Sequence, residues 1–209
     1  MSPAEIDRFF KILSEETDQP ITIILTGAAA GAVMGNVRPS LDIDFAVTLA
    51  SSSTKPEKGW PAVEEAVQIT SRKTGIAVNF SADLDRWSSI TLLDYAHHTK
   101  PYQRFGRVTV RILEPPYWAI GKLARFVQSD LDDLRRVLKI QSPPWPSTVR
   151  LWGKALKSSP PSTSCFQFRQ HVEQFLRTHA KEIWGTRCDP ARAIQEFRRA
   201  AGVRGVKPG

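Results

Sequence analysis

The chain has 209 residues with 41% hydrophobic content and a formal net charge of +8, which is enough for one full domain with its own core plus a smaller region. Its two cysteines, Cys165 and Cys188, have no metal-ligand spacing and predict no disulfide framework, so a reducing cytoplasm is expected. The longest apolar run, residues 21–35, is too short to span a bilayer, and the acidic N-terminus is not typical of a signal peptide.

The N-terminal part of the sequence alternates helical and strand patterns. Residues 3–15 carry apolar side chains at helical spacing and predict an amphipathic helix. The segment ITIILTG (21–27) is rich in β-branched residues and predicts a buried strand that ends at Gly27. A short helix of small residues is expected over 28–35, and LDIDFAVTL (41–49) alternates acidic and apolar residues with the period of a strand.

The middle of the chain continues this mixture. Residues 60–75 predict a helix that ends at Gly75, and IAVNF (76–80) predicts a third strand. RFGRVTVRIL (104–113) is typical of a hairpin arm. From Tyr117 to Leu138 the apolar residues keep a period near 3.6, which indicates helix.

The Pro-rich segment QSPPWPS (141–147) is the candidate domain boundary. It divides the chain into a domain over 1–141 and a basic helical C-terminal region over 142–209. Further helices are predicted over 149–156, 166–183 and 190–201. The fold class expected from this pattern is α+β, with a small mixed sheet flanked by helices and a basic helical tail.

The positive charge is unevenly distributed. Residues 1–141 hold 17 Lys+Arg and 17 Asp+Glu, whereas residues 142–209 hold 12 and 4, so the whole excess lies in the C-terminal part. Such asymmetry is typical of contact with a polyanion, although a solvated basic face is an equal alternative. Trp145 and Trp152 lie beside basic residues and suit either core packing, the favoured interpretation, or stacking on bases.

The segment that carries chemistry contains the sequence Asp42-Ile43-Asp44. Side chains alternate along a strand, so Asp42 and Asp44 project from the same face. Two carboxylates this close favour a divalent cation between them, and Mg²⁺ prefers such oxygen ligands while keeping positions for water or phosphate. Taken alone, the same pattern also fits a solvated strand end.

Residues around this pair strengthen the chemical interpretation. Gly27 follows a strand and precedes a helix, so its backbone N–H groups can approach phosphate closely. Arg38 is suited to pair with phosphate or to fix a carboxylate.

Together these residues resemble the polymerase-beta-like nucleotidyltransferase superfamily, and most closely the small bacterial toxins of the AbiEii/MenT type and their relatives. The resemblance rests on two motifs in the right order, over about residues 20–140. The first is the small-residue turn at Gly27 followed by Arg38-Pro39-Ser40-Leu41-Asp42-Ile43-Asp44-Phe45, and the second reads Lys122-Leu123 followed by Ser129-Asp130-Leu131-Asp132-Asp133.

The resemblance implies a role for each matching residue. Asp42 and Asp44 are expected to be catalytic metal ligands for Mg²⁺ or Mn²⁺, with Lys122 and Asp133 as further catalytic residues and Asp130 as part of a second acidic element. The nucleoside triphosphate is expected to contact Gly27, Ala28, Arg38, Ser40 and Lys122. Alternatively, Ser129 starts a new helix, and the acids behind it only complement a helix dipole.

Two positions depart from the pattern of the superfamily. Ala28 stands where relatives often have Gly or Ser, so a hydroxyl contact to phosphate is missing. Asn79 stands where a third carboxylate is often found, and Asp83, Asp85 and Glu114 are candidates to replace it. These departures leave a one-metal enzyme, a non-standard enzyme or an inactive relative as open interpretations.

The expected function is transfer of a nucleoside monophosphate from an NTP to an acceptor, with release of pyrophosphate. RNA, such as the 3′ end of tRNA, is the favoured acceptor, which would make the chain the toxin of a toxin–antitoxin pair with an antitoxin protein as partner. A nucleotidyltransferase for small molecules such as antibiotics is one alternative. A non-catalytic relative that binds nucleotide, RNA or a partner protein is the other. No membrane partner is expected.

Overall fold

The chain is an α+β protein built around a five-stranded mixed sheet flanked by helices, as predicted. The computed structural model describes residues 1–35, 41–49, 59–84 and 89–203. It divides into two compact units. The first comprises Met1–Leu84 with Ala96–Leu113, and the second comprises Asp85–Tyr95 with Glu114–Gly209.

The first unit holds the sheet. Its elements are α1 (Pro3–Glu16), β1 (Ile21–Thr26), α2 (Gly27–Gly35), β2 (Asp42–Leu49), α3 (Trp60–Thr74), β3 (Ala77–Ser81), β4 (Thr99–Phe105) and β5 (Val108–Leu113). The strand order is β3-β2-β1-β5-β4. Strand β1 is antiparallel to β2 and parallel to β5, whereas β2 is parallel to β3 and β4 is antiparallel to β5.

One face of this sheet is an apolar core. Ile43 and Phe45 alternate with the aspartates of β2 and are fully buried. The ring of Phe45 lies 6.3 Å from that of Phe9 and 5.8 Å from that of Phe10 in α1, and it stacks on Phe80 of β3 at 5.7 Å. Because side chains alternate along a strand, burial of this face directs Asp42 and Asp44 to the opposite one.

The second unit is helical. Its helices are α4 (Pro115–Arg125), α5 (Gln128–Gln141), α6 (Trp145–Ser158), α7 (Thr163–Trp184) and α8 (Pro190–Ala200). The helical period predicted from Tyr117 to Leu138 is therefore broken. Phe126 adopts a left-handed conformation with φ +55° and ends α4, and its ring stacks on His171 of α7 at 4.3 Å. The new helix begins at Gln128, just before the start that Ser129 suggested.

The second compact unit includes Glu114–Gly209 and so spans the Pro-rich segment at 141–147, and the predicted domain boundary after residue 141 stays a prediction. Amphipathic α4 and α5 bury their apolar faces in the second unit. Residues 142–144 form a short connection between α5 and α6, and Pro146 lies in the first turn of α6. The indole of Trp184 donates to the carbonyl of Pro143 at 2.8 Å, which ties this connection to α7. The region over 142–209 is thus helical as far as it is described, but α6 to α8 pack into this unit and do not form a tail. Within the described residues, no helix combines the length and apolarity needed to cross a membrane.

Candidate functional site

Asp42 and Asp44 lie at the start of β2, where three strands meet in register. Asp44 pairs with Thr26 at the end of β1 and with Asn79 on β3, while Asp42 pairs with Ala77. Both aspartates are half-buried, and Asn79 is exposed. The parallel pairing of β2 with β3 therefore places Asn79 on the same face as the two carboxylates.

The side chain of Asn79 bridges the two aspartates. Its Nδ2 donates to Asp42 Oδ2 at 2.8 Å and to Asp44 Oδ1 at 3.0 Å. Because both oxygens lie within 3.0 Å of a single nitrogen, the two carboxylates converge on one point. The amide is neutral, so its two N–H dipoles offset only part of the repulsion between the two negative charges.

Gly27 makes room for Asp44. Its φ of +63° is in the left-handed region, which glycine adopts at little cost. A β-carbon added there would overlap Asp44 Oδ2 and lie 2.6 Å from Asp44 Cγ. The carboxylate of Asp44 therefore lies against the first residue of α2, at the end of the helix where the helix dipole favours negative charge.

The predicted nucleotide contacts are only partly within the described residues. Gly27 and Ala28 are the first two residues of α2. The methyl group of Ala28 is buried, so these two residues can contact a nucleotide only through their backbone groups. Arg38 and Ser40 lie outside the described residues, as does Asp85. The contacts assigned to these residues stay predictions.

The residues of the second motif form a buried ion network in the second unit. Lys122 Nζ of α4 donates to Asp130 Oδ1 at 2.9 Å and to Asp133 Oδ2 at 2.7 Å, both on α5. Arg125 forms a bidentate pair with Asp130 at 2.7 and 2.6 Å. Lys122, Asp130 and Asp133 are each at most 2% exposed.

This network joins α4 to α5 across the break at Phe126. Burial by itself would raise the pKa of Asp130, but hydrogen bonds from Arg125 and Lys122 outweigh burial and hold its pKa below the ordinary value. The ammonium of Lys122 faces two carboxylates, so little of its charge is left for phosphate. The geometry favours a structural role for Lys122, and its predicted contact with phosphate stays a prediction.

The donors around Asp42 fit the predicted metal in type but are few in number. Within the described parts of the chain, no cluster of three or more His, Cys, Asp or Glu side chains that could hold a metal is found. Two carboxylates remain, together with an amide that presents its nitrogen to them. Their oxygens match the hard donors that Mg²⁺ and Mn²⁺ prefer, so the site suits one divalent ion that completes its shell with water or phosphate.

Sequence reasoning noted Asn79 as a departure but missed its contact with the aspartates. The sequence did contain a signal for this contact. If β2 and β3 pair in parallel, a side chain of β3 lies beside the aspartates at the start of β2. It also missed the pairing of Lys122 with Asp130 and Asp133, which depends on the angle between α4 and α5.

Comparisons with models of protein families, with curated proteins and with solved structures find no match to this chain. The site must therefore be judged on its own geometry.

Proposed function

We propose that the chain is a metal-dependent nucleotidyltransferase that moves a nucleoside monophosphate from an NTP to an acceptor and releases pyrophosphate. One observation carries the proposal. The half-buried carboxylates of Asp42 and Asp44 converge on the amide nitrogen of Asn79 at the N-terminal end of β2, beside the N-terminal end of α2. A divalent ion at such a point can join protein carboxylates to the phosphates of a nucleotide.

Each residue of the site has a separate task in this proposal. Asp42 and Asp44 would hold Mg²⁺ or Mn²⁺, which when bound neutralises charge on the triphosphate. Asn79 keeps the two carboxylates together and in register. Gly27 lets Asp44 approach the start of α2. By the resemblance, Arg38 would contact phosphate.

The favoured acceptor is RNA, and the favoured setting is a toxin acting in the cytoplasm with a cognate antitoxin. The support for RNA is the charge of the C-terminal part, with 12 Lys+Arg against 4 Asp+Glu over residues 142–209. Phosphate contacts supply most of the sequence-independent affinity of a protein for nucleic acid.

The test is transfer of label from each of the four α-labelled NTPs to total RNA. The wild type is expected to label RNA in the presence of Mg²⁺ or Mn²⁺, and the variant Asp42→Asn/Asp44→Asn is not. The matched control is Glu15→Gln/Glu65→Gln, which removes two exposed carboxylates of α1 and α3 and should leave labelling unchanged. Equal labelling by the aspartate variant and the wild type would contradict the proposal.

A second candidate function follows from the amide in the site. Asn79 supplies no negative charge, and no third carboxylate joins the pair among the described residues. This favours, as the alternative, a relative that binds nucleotide without transferring it. Calorimetry together with a pyrophosphate assay separates the two, because Mg²⁺-dependent NTP binding without release of pyrophosphate from the NTP, whichever acceptor is added, indicates the binding protein.

A further inference from the structure

The cations of the second unit fall into two classes. Most of its arginines are neutralised by acids of the same unit: Arg135 pairs with Glu182, Arg169 and Arg198 pair with Glu173, and Arg150 and Arg199 pair with Glu196. Hydrogen bonds from Arg198 and then Arg169 hold the pKa of Glu173 below its ordinary value despite burial. An acid of the same unit therefore offsets part of the charge of each of these arginines.

The second class has no acid partner among the described residues, and four of its members gather in one place. They are Arg177, Lys181, Arg187 and Arg192, all of them exposed. They surround the short 3₁₀ helix Gly185–Arg187 that links α7 to α8. Lys139, Lys154 and Lys157 share the lack of an ion pair but lie on α5 and α6.

Two open cavities flank this 3₁₀ helix. The larger one, about 780 Å³, is lined by Arg177 and Lys181 on one side and by residues 185, 186 and 188–191 on the other. The smaller one, about 260 Å³, is lined by Trp145, Trp184 and Arg187 among others. The larger volume is in the range of small-ligand sites.

The larger cavity carries a concentrated positive charge. Arg177 and Lys181 are one turn apart on α7, where like charges repel and slightly destabilise a helix. The carboxylate of Asp189 also lines the cavity, but it accepts from the backbone N–H of Ala191 at 2.8 Å and caps α8. Burial raises the pKa of the Cys188 thiol to about 11, with a contribution from Asp189, so the thiol adds no negative charge near neutral pH.

The smaller cavity adds an aromatic surface. The indole of Trp145 donates to the carbonyl of Arg187 at 2.9 Å, which fixes the ring. The guanidinium of Arg192 lies over that ring, 5.8 Å from its centroid. Cations interleaved with a fixed aromatic ring are typical of surfaces that bind single-stranded nucleic acid, because the cations contact phosphates and the flat groups stack on bases.

We propose that these two cavities form a binding site for single-stranded nucleic acid, with phosphates at Arg177 and Lys181 and a neighbouring nucleotide at Trp145 and Arg192. The concave shape favours a single strand, since a duplex and a bilayer present broader surfaces. Assigning the bound strand as the acceptor of nucleotidyl transfer rests on the proposed function, but the binding itself does not.

The test is fluorescence anisotropy of the full chain with a labelled, unstructured RNA of about 12 nucleotides, a length within the usual site sizes. Arg177→Gln/Lys181→Gln is expected to weaken binding at least about tenfold and to reduce the salt slope by roughly 1.4, for two phosphate contacts on a single strand. Lys154→Gln/Lys157→Gln removes the same charge from α6 and is expected to change affinity less than about twofold. Trp145→Phe/Arg192→Gln changes the residues at the smaller cavity and is expected to lower the affinity for RNA independently.

Circular dichroism checks that the variants fold. Equal losses in the α7 and α6 variants would overturn the proposal, because binding would then follow net charge alone. Tighter binding to duplex RNA or to phosphatidylserine vesicles than to the single strand would also overturn it. Asp42→Asn/Asp44→Asn separates the two proposals, since it should bind RNA like the wild type while losing transfer. If it binds RNA normally and the wild type transfers nothing, only the transferase proposal fails.

Discussion

The chain contains two pairs of aspartates that were expected to share one active site, and their surroundings differ. Asp42 and Asp44 are half-buried, and both accept a hydrogen bond from the neutral amide of Asn79. Asp130 and Asp133 are buried and are bonded to the ammonium of Lys122. The first pair is thus partly open to solvent, whereas the second is closed off around a lysine ammonium.

This difference distinguishes a candidate ligand-binding site from a helix–helix contact that stabilises the fold. A buried carboxylate needs a charged partner within the fold, because leaving it unpaired costs several kcal/mol. An accessible pair can take its counter-charge from solution and can therefore bind and release a cation. Similar spacing of acids along the sequence thus gives a candidate ligand site on the strand and a helix–helix connection on α4 and α5.

The largest effect is expected from a single change in the accessible pair. Asp44→Asn preserves shape but removes one charged ligand, so the transfer rate should fall at least about 10²-fold, given that outer-shell partners of a metal already contribute 10–100-fold. The free energy of unfolding should change little. The measurement is the initial rate of label transfer together with urea unfolding.

Asp130→Asn is the matching change in the buried pair, and we expect it to affect stability and not the transfer rate. It should lower the free energy of unfolding while the transfer rate per folded molecule stays near that of the wild type. A large loss of rate with unchanged stability in Asp130→Asn would show that the second pair is catalytic.

The next largest effect concerns Lys122. Lys122→Met leaves Asp133 without this ammonium in a buried place, so we expect a loss of about 3 kcal/mol, at the low end for a broken buried pair because Arg125 still holds Asp130. Chemical denaturation measures the loss. The control is Lys154→Met, which replaces an exposed lysine of α6 and should be nearly neutral, and equal stability of the two variants would rule out the structural role.

A smaller effect should distinguish the two glycines with positive φ that flank the site region. Gly75 has φ +71° and open space around it, so Gly75→Ala adds only backbone strain of about 1–2 kcal/mol. Gly27→Ala adds similar strain and also displaces Asp44, so its loss of stability should be larger by about 1 kcal/mol or more. Thermal and urea unfolding give both values. Equal losses would mean that Asp44 does not need the space above Gly27.

The smallest effect is a pH dependence of stability. The pKa of Asp130 is lower in the folded chain than its ordinary value near 3.9, so the unfolded chain binds more protons around that pH. Its stabilising contribution is present above about pH 4 and is lost as the pH falls through the lower, folded pKa. Unfolding free energies between about pH 2 and 6 should therefore decline less steeply in Asp130→Asn than in the wild type. Identical slopes would contradict the assignment.

Local patterns predicted most elements of the first unit, because burial on one side of an element imposes a period on its apolar residues, but most of β4 (Thr99–Phe105) was not predicted. The apolar alternation of Ile43 and Phe45 fixed which face Asp42 and Asp44 occupy, and Gly75 ended α3 as expected. The apolar period by itself ran through the break at Phe126, since both helices bury apolar residues, whereas the alternative helix start at Ser129 lies one residue from the observed start at Gln128.

The rest depended on contacts distant in sequence. The bridge from Asn79 requires the register between β2 and β3, and the pairing of Lys122 requires the angle between α4 and α5. The prolines after residue 141 indicated a linker by composition. In the structure they lie at the short connection between α5 and α6, and both helices belong to the second unit. The concentration of unpaired cations near Gly185–Arg187 required knowing which arginines are paired, and spacing alone does not show that.

The most direct test of the account is titration of the chain with Mn²⁺, followed by electron paramagnetic resonance, in the wild type and in Asp42→Asn/Asp44→Asn. We expect bound Mn²⁺ in the wild type, an affinity that rises when NTP is added, and loss of this binding in the variant. Glu15→Gln/Glu65→Gln should behave like the wild type. Unchanged Mn²⁺ binding in the aspartate variant would contradict the claim that these two carboxylates hold the metal.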